Sequence, residues 1–317
     1  MPPQSLPLLD LSAAVPGSAE ERRLAELAGR ALTELGFFAV ERHGVDSELI
    51  RRSYAAVEAF FTLPEERKRR YEDPQGKGQR GFTSFGREHA RDHPAPDLKE
   101  FWHVGRDLPP GHPLETVYPA NIWPTPEDAP GFDAALRELY RQIDACALRL
   151  LELVALYLDE PRDRFREMAR DGNSILRIIH YPPVPPDADP ASMRAAPHED
   201  INLITLLCEA TAGGLELLTR EGEWLAVEAV PGQIIVDAGD MLQNATNGVL
   251  RSTTHRVVNP GSSRERRLSM PFFAHARPEV SVGPLPGCIA RSGGERRYPE
   301  ITAGDYLLQR LREIGLA

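Results

Sequence analysis

The chain changes texture at Gly172, and that change constrains the fold more than any other feature of the sequence. Beyond it, apolar residues come in short runs separated by Pro, Gly and Asn: Ile175 to Tyr181, Ile201 to Leu207, Gly214 to Leu218, Trp224 to Val227, Gln233 to Val236, Thr253 to Val258 and Arg267 to Phe273. Runs of this length with turn formers between them predict the strands of an antiparallel sandwich or barrel. A parallel sheet would need a helix between successive strands, and no such repeat is present. The 29 prolines among 317 residues fit many turns and strand ends.

Before Gly172 the pattern is helical. Ser18 opens a Ser-x-x-Glu box with Glu21, and Leu24, Leu27, Ala28, Ala31, Leu32 and Leu35 follow at helical spacing until Gly36 stops the helix. Phe37 to Val40 reads as a buried strand entering a turn at His43-Gly44, and a second helix is expected from near Asp46 to Phe61. From Gly76 to Pro130 no periodicity is sustained, which predicts a long irregular region that lines part of a pocket. A strong helix is expected over 133–158, with Leu136, Leu139, Tyr140, Ile143, Ala147, Leu150, Leu151 and Val154 on one apolar stripe, and the stretch from Thr302 to Ile314 reads as helical again. The expected class is mainly β with flanking helices, α+β in type. The expected organisation is an N-terminal helical and irregular region over 1–130 and a strand-rich core with supporting helices over 131–317, together one compact unit.

Charge narrows the partners. With 37 basic and 47 acidic residues the net charge is −10, a field that repels phosphate backbones and anionic bilayers, so neither nucleic acid nor membrane is an expected partner. Arg67-Lys68-Arg69-Arg70 reads as solvated charge at a helix end. No run of about 18 apolar residues is present and no secretory signal precedes Ser12. Cys146, Cys208 and Cys288 form no CxxC pair and no disulfide scaffold, so a reducing cytoplasm is the expected compartment. No GxGxxG or GxxxxGK[ST] fingerprint supports a nucleotide-binding fold.

Three clusters can carry chemistry. In Pro197-His198-Glu199-Asp200 an extended backbone puts His198 and Asp200 on one face and Glu199 on the other. His255 lies on a later strand, after the turn formers Gly239-Asp240 and Asn247-Gly248, so two hairpin-linked strands could return it to His198. Two imidazoles and a carboxylate without a thiolate are the ligand set of non-haem Fe(II) sites, and they also suit zinc hydrolases. In Arg267-Leu268-Ser269, Arg267 and Ser269 alternate onto one face while Arg266 faces away. A guanidinium fork beside a hydroxyl makes a receptor for one carboxylate.

These pieces, with Gly239-Asp240-Met241-Leu242-Gln243, Ser252-Thr253-Thr254-His255-Arg256-Val257 and Arg267-Leu268-Ser269-Met270-Pro271-Phe272-Phe273, resemble in order and spacing the isopenicillin N synthase-like group of Fe(II)- and 2-oxoglutarate-dependent oxygenases. Leu6-Pro7-Leu8-Leu9-Asp10 and the stretch from Gly36 to Val45 resemble that group's N-terminal region. The resemblance implies a double-stranded β-helix, or jelly-roll, core. It also implies His198, Asp200 and His255 as iron ligands, Arg267 with Ser269 on the distal carboxylate of 2-oxoglutarate, and Tyr181 hydrogen-bonding cosubstrate or substrate. Ile179 departs from the group, many of whose members have Asn at that place.

The leading expectation is therefore a dioxygenase that consumes 2-oxoglutarate and O2, releases succinate and CO2, and hydroxylates, desaturates or cyclises a small molecule such as an amino acid, peptide or natural product. One alternative is an oxidase of the isopenicillin N synthase type that uses no keto acid. Another is a non-catalytic, metal-bound jelly roll that binds a carboxylate. Arg80, Phe82, Phe85, Arg87, Lys99, Phe101 and Trp102 are the candidate pocket residues of the irregular segment.

Overall fold

The structure is a computed structural model that describes residues 6–73, 78–88, 97–186, 188–189, 191–228, 230–259 and 265–313. Among the described residues, twelve strands form two sheets. The larger contains β1 (Leu8–Asp10), β2 (Phe37–Glu41), β3 (Gly81–Thr83), β4 (Glu100–Gly105), β5 (Ile175–Tyr181), β7 (Ile204–Cys208), β10 (Gln233–Ala238) and β12 (Arg267–Ala274), in the order β1-β2-β10-β7-β12-β5-β4-β3. The smaller contains β6 (Ala195–His198), β8 (Leu215–Leu218), β9 (Trp224–Ala226) and β11 (His255–Val257), in the order β6-β11-β8-β9. All pairings but β1 with β2 are antiparallel, the arrangement of a jelly roll with flanking helices.

The expected helices form where their caps put them. In α1 (Ala19–Glu34) the Ser18 hydroxyl accepts from the Glu21 N–H at 3.0 Å, and the Glu21 carboxylate accepts from the Gly17 N–H at 2.7 Å. Gly36 ends the helix with φ +78°, and a Cβ there would lie 2.2 Å from Thr253 Oγ1, so this corner needs glycine twice over. α2 (Ser47–Phe61) is capped by Asp46. α4 (Phe132–Tyr157) lays its stripe on the larger sheet, where Tyr140 meets Phe272 edge-on at 5.1 Å. One buried apolar cluster joins α1, α2 and α4 to β2, β4, β5, β7, β10 and β12. Short helices α3 (Glu65–Lys68), α5 (Arg164–Ala169), α6 (Asp240–Ala245) and α7 (Pro286–Arg291) and the C-terminal α8 (Ala303–Glu313) complete the described fold.

Several expectations need correction. The span 76–130 is not irregular throughout, since β3 and β4 pair within it and β4 pairs with β5, carrying the larger sheet into the N-terminal half. Its residues 76–77 and 89–96 lie outside the described residues. The strand expected from Ile201 starts only at Ile204, because 201–203 turn beside Gly239. Between Gly239 and Gly248 the chain forms α6 rather than a plain hairpin turn. All three cysteines are free and buried. No described helix is long and apolar enough to cross a membrane.

Candidate active site

Both sheets contribute walls to one cavity of about 470 Å³. The metal-ligand candidates meet there because β11 pairs with β6, with His255 directly opposite His198. Asp200 follows two residues after His198. One ligand atom from each of His198, Asp200 and His255 lies within 4.8 Å of the others. The Nε2 atoms of His198 and His255 stand 4.0 and 3.9 Å from Asp200 Oδ1. The other ring nitrogens are spoken for: Nδ1 of His198 faces the Ala196 carbonyl at 2.7 Å and Nδ1 of His255 faces that of Thr253 at 3.1 Å. A proton on each Nδ1 leaves Nε2 as a lone-pair donor aimed at the shared point.

The backbone and neighbours hold this geometry. The Asp240 N–H donates to the Asp200 carbonyl at 2.7 Å, and Gly239 packs so tightly on Asn202 that a Cβ would lie 2.3 Å from its carbonyl oxygen. The Asn202 side-chain amide donates to Thr205 Oγ1 at 2.9 Å, and the Thr205 hydroxyl donates to Asp200 Oδ2. The Thr253 hydroxyl donates to the Leu35 carbonyl at 2.8 Å, tying the segment before His255 to the end of α1. Phe37 stands edge-on to the His255 ring at 5.6 Å.

Burial lowers the His198 pKa to about 4, with His255 adding to the effect and Asp200 opposing it. The Asp237 carboxyl, also in the wall, is pushed well up by burial and by Asp200. Burial thus keeps His198 neutral with its lone pair available, and a divalent cation would offset the repulsion between Asp200 and Asp237, so the donor set fits a resident metal. Two imidazole nitrogens and one carboxylate, with no thiolate among them, match Fe(II) and leave further coordination positions open.

Arg267 lies opposite Tyr181 and Ser269 opposite Ile179 on the β12–β5 register. Arg267 Nε donates to the Ala212 carbonyl at 3.1 Å and Nη1 to Ser269 Oγ at 3.0 Å, while the guanidinium carbon sits 5.0 Å from the Tyr181 ring centroid. No carboxylate lies within ion-pair distance of Arg267 among the described residues. Since a guanidinium only donates, Ser269 accepts from it and keeps its own proton to offer an anion. Arg266, on the opposite face, is exposed and pairs with Glu58, as alternation predicts.

Of the seven candidate pocket residues, Arg80 and Lys99 line the cavity. Phe82 and Trp102 belong to the main core, Phe101 to a small cluster with Ile179 and Tyr181, and Arg87 is exposed and pairs with Glu72. Phe85 is absent from the wall. Glu199, expected to point away, also borders the cavity and accepts from the Thr254 hydroxyl. Sequence reasoning missed Thr205, Asn173, Arg177 and His275, all in the wall. Thr205 had a visible signal, a lone hydroxyl inside the run Ile204 to Leu207.

Comparison with known proteins agrees with this geometry. Residues 6–126 match the family described as non-haem dioxygenase in morphine synthesis N-terminal, and residues 172–276 match the 2OG-Fe(II) oxygenase superfamily. A proline hydroxylase, buaE, of Petromyces alliaceus is 35% identical over 295 residues, covering 89% of this chain and 90% of its own. The 2-oxoglutarate-Fe(II) type oxidoreductase hxnY of Emericella nidulans is 32% identical over 315 residues, covering 97% and 89%. Among solved structures, a 2OG-Fe(II) oxygenase family protein from Caulobacter crescentus superposes with TM-score 0.86 at 40% identity, over 98% of this chain and 99% of its own. A Neurospora crassa protein in complex with alpha-KG does so with TM-score 0.85 at 28% identity, over 97% and 95%.

The chain belongs to the isopenicillin N synthase-like family of Fe(II)- and 2-oxoglutarate-dependent oxygenases. It is a non-haem Fe(II) dioxygenase that uses 2-oxoglutarate and O2 to oxidise a small molecule, with release of succinate and CO2.

Proposed function

We propose that His198, Asp200 and His255 hold the Fe(II), that Arg267 and Ser269 grip the distal carboxylate of 2-oxoglutarate, and that Tyr181 orients that grip. The observation that carries this reading is the presence of all six residues around one cavity, with Arg267 buried and lacking a carboxylate partner among the described residues. A buried unpaired charge is costly, and a dianionic cosubstrate removes the cost. Bound iron, with O2 and the keto acid, supplies the oxidation. The protein's own residues orient: Thr205 holds the Asp200 carboxylate, the Ala196 and Thr253 carbonyls fix the two imidazoles, and Arg267 with Ser269 sets the direction of the cosubstrate. Leu307, Leu311 and Arg310 of α8 border the cavity, and Arg310 pairs with Asp240 at 3.0 Å, so the C-terminal helix helps keep water out.

The substrate is an amino acid, a peptide or a related natural product. Relatives named proline hydroxylase and homoarginine-6-hydroxylase support this choice, whereas a structural neighbour holds thymine. The three buried thiols suit a reducing cytoplasm, and the joint core suits a chain that works as one unit. The test is succinate release under air by Fe(II)-loaded protein, alone and with members of such a panel. Succinate that never exceeds the iron-only control would refute the assignment of these residues to iron and 2-oxoglutarate.

A further inference from the structure

The cavity has a second positive end. Arg80 is 1% exposed and Arg267 2%, and neither has a carboxylate within ion-pair distance among the described residues. Arg80 Nη1 donates to the Gln79 carbonyl at 2.7 Å and Nη2 to Asn173 Oδ1 at 2.9 Å, while its buried Nε has no partner. Nearby cations are already matched: Lys99 bonds Asp97 and Glu88, and Arg177 bonds Glu88. Burial pulls the Lys99 pKa down, but those two carboxylates outweigh it and hold the ammonium above its usual range. Of the side chains lining this end, the cations Arg80, Lys99 and Arg177 face the carboxylates Glu88 and Asp97, and Asp107, which acts on Arg80 from outside the wall, is itself bonded to Arg137, so one positive charge is left at this end.

Arg80 also dictates what Asn173 shows the cavity. A guanidinium has no acceptor, so the Asn173 oxygen must face it, which leaves the amide NH2 of this cavity-lining residue free to donate elsewhere. That NH2 donates to no described residue. Gly105 makes room for the arrangement, since a Cβ there would lie 2.1 Å from the Arg80 guanidinium carbon although its φ is ordinary.

Register places this end relative to the iron ligands. Thr205, which holds Asp200, lies opposite Phe273, Phe273 opposite Ile175, and Ile175 opposite Gly105. Three strand steps of roughly 4.8 Å therefore separate the Asp200 side from the Arg80 side along the sheet. Tyr181, beside Arg267, stands six residues along β5 from Ile175. The cosubstrate carboxylate and the Arg80 end are thus well apart.

We propose that Asn173 and Arg80 form the receptor for a carboxylate of the substrate, which would place the C–H to be oxidised over the metal between the two positive ends. This rests on the assignment of Arg267 to 2-oxoglutarate, because that assignment leaves Arg80 without an anion.

The experiment is anaerobic calorimetry on Fe(II)- and 2-oxoglutarate-loaded protein with L-proline, L-phenylalanine, benzoate and hexanoate, each beside its primary amide. At least one acid is expected to bind more than tenfold tighter than its amide. Asn173→Asp, which gives Arg80 an internal partner, and Gly105→Ala, which displaces the guanidinium, should each erase that preference, as should Arg80→Met. The 2-oxoglutarate affinity of the wild-type protein and of each variant, measured first, separates the two readings: a wild-type protein that binds no 2-oxoglutarate would sink the cosubstrate assignment, and each variant is expected to keep the wild-type affinity. If no acid is preferred over its amide, or if the preference survives in folded Asn173→Asp, the proposal is wrong.

Discussion

The two sheets that enclose the cavity are built on different foundations. The eight-stranded sheet rests on α1, α2 and α4 through the main apolar cluster and presents Arg267, Ser269 and Thr205 on its other face. The four-stranded sheet buries less: Leu215, Leu217 and the adjoining Val227 with Phe37 and Ile235, and Ala195 and Val257 with Phe101, Ile179 and Tyr181. Yet it carries His198 and His255 on adjacent strands, with a register irregularity between His255 and Val257. The lesson is a division of labour in which the larger sheet carries most of the buried core and the smaller one carries two of the three metal-ligand candidates, His198 and His255.

The largest expected effect tests the ligands. His198→Ala and His255→Ala should each abolish Fe(II) binding and turnover while the circular dichroism and cooperative unfolding persist, because neither ring belongs to the main core. Loss of the fold in either variant would break the comparison. The reciprocal change is Phe272→Ala in the larger sheet, expected to cost about 3–5 kcal/mol in denaturant unfolding while the folded fraction still takes up iron.

Next comes the cosubstrate end. Arg267→Leu deletes a charge-assisted fork worth on the order of 1.5–3 kcal/mol, roughly ten- to a hundredfold in 2-oxoglutarate affinity, with Fe(II) affinity little changed. Arg266→Leu, on the outer face, should alter neither, and titrations in the reverse order would mean the strand's facing is misassigned. Thr205→Val sharpens the link between the sheets. It removes the hydroxyl that holds Asp200 and should weaken Fe(II) by about ten- to a hundredfold without moving the unfolding midpoint far.

The most gradual effect is a slope in pH. Burial lowers His275 from its ordinary 6.5 to about 4, so the unfolded chain takes up a proton near pH 6.5 that the native state refuses until about pH 4. This contribution is complete above about pH 6.5 and declines as pH falls toward 4, by at most about 1.4 kcal/mol per unit. His275→Gln should flatten that part of the stability curve, measured by denaturant unfolding between pH 4.5 and 7. An unaltered slope would assign the acid loss to other groups.

Some elements were legible because their signals are local. A Ser-x-x-Glu box, a stopping glycine and apolar spacing define α1, and alternation between turn formers defines β5 and β12, including which face Arg267 and Ser269 share. β4 was hidden for a physical reason. Glu100 and His103 interrupt its apolar run, and only distant partners make them buriable: Lys68 and His180 bond Glu100, while the Gly78 carbonyl faces His103. β6 is likewise short and follows a proline-rich stretch, so it becomes a strand only by pairing with β11.

By itself the sequence determined the class of fold, the identities of the metal-ligand candidates and the shared face of Arg267 and Ser269 on β12, because those depend on residue type, alternation and order along the chain. Tertiary structure decided the rest. Which residues of 76–130 face the cavity, that His255 comes opposite His198, and that Arg80 bonds the Asn173 side chain all depend on residues far apart in sequence. Hydrogen bonds and burial at such separations are set by how sheets and helices close on one another, and no local pattern encodes that closure.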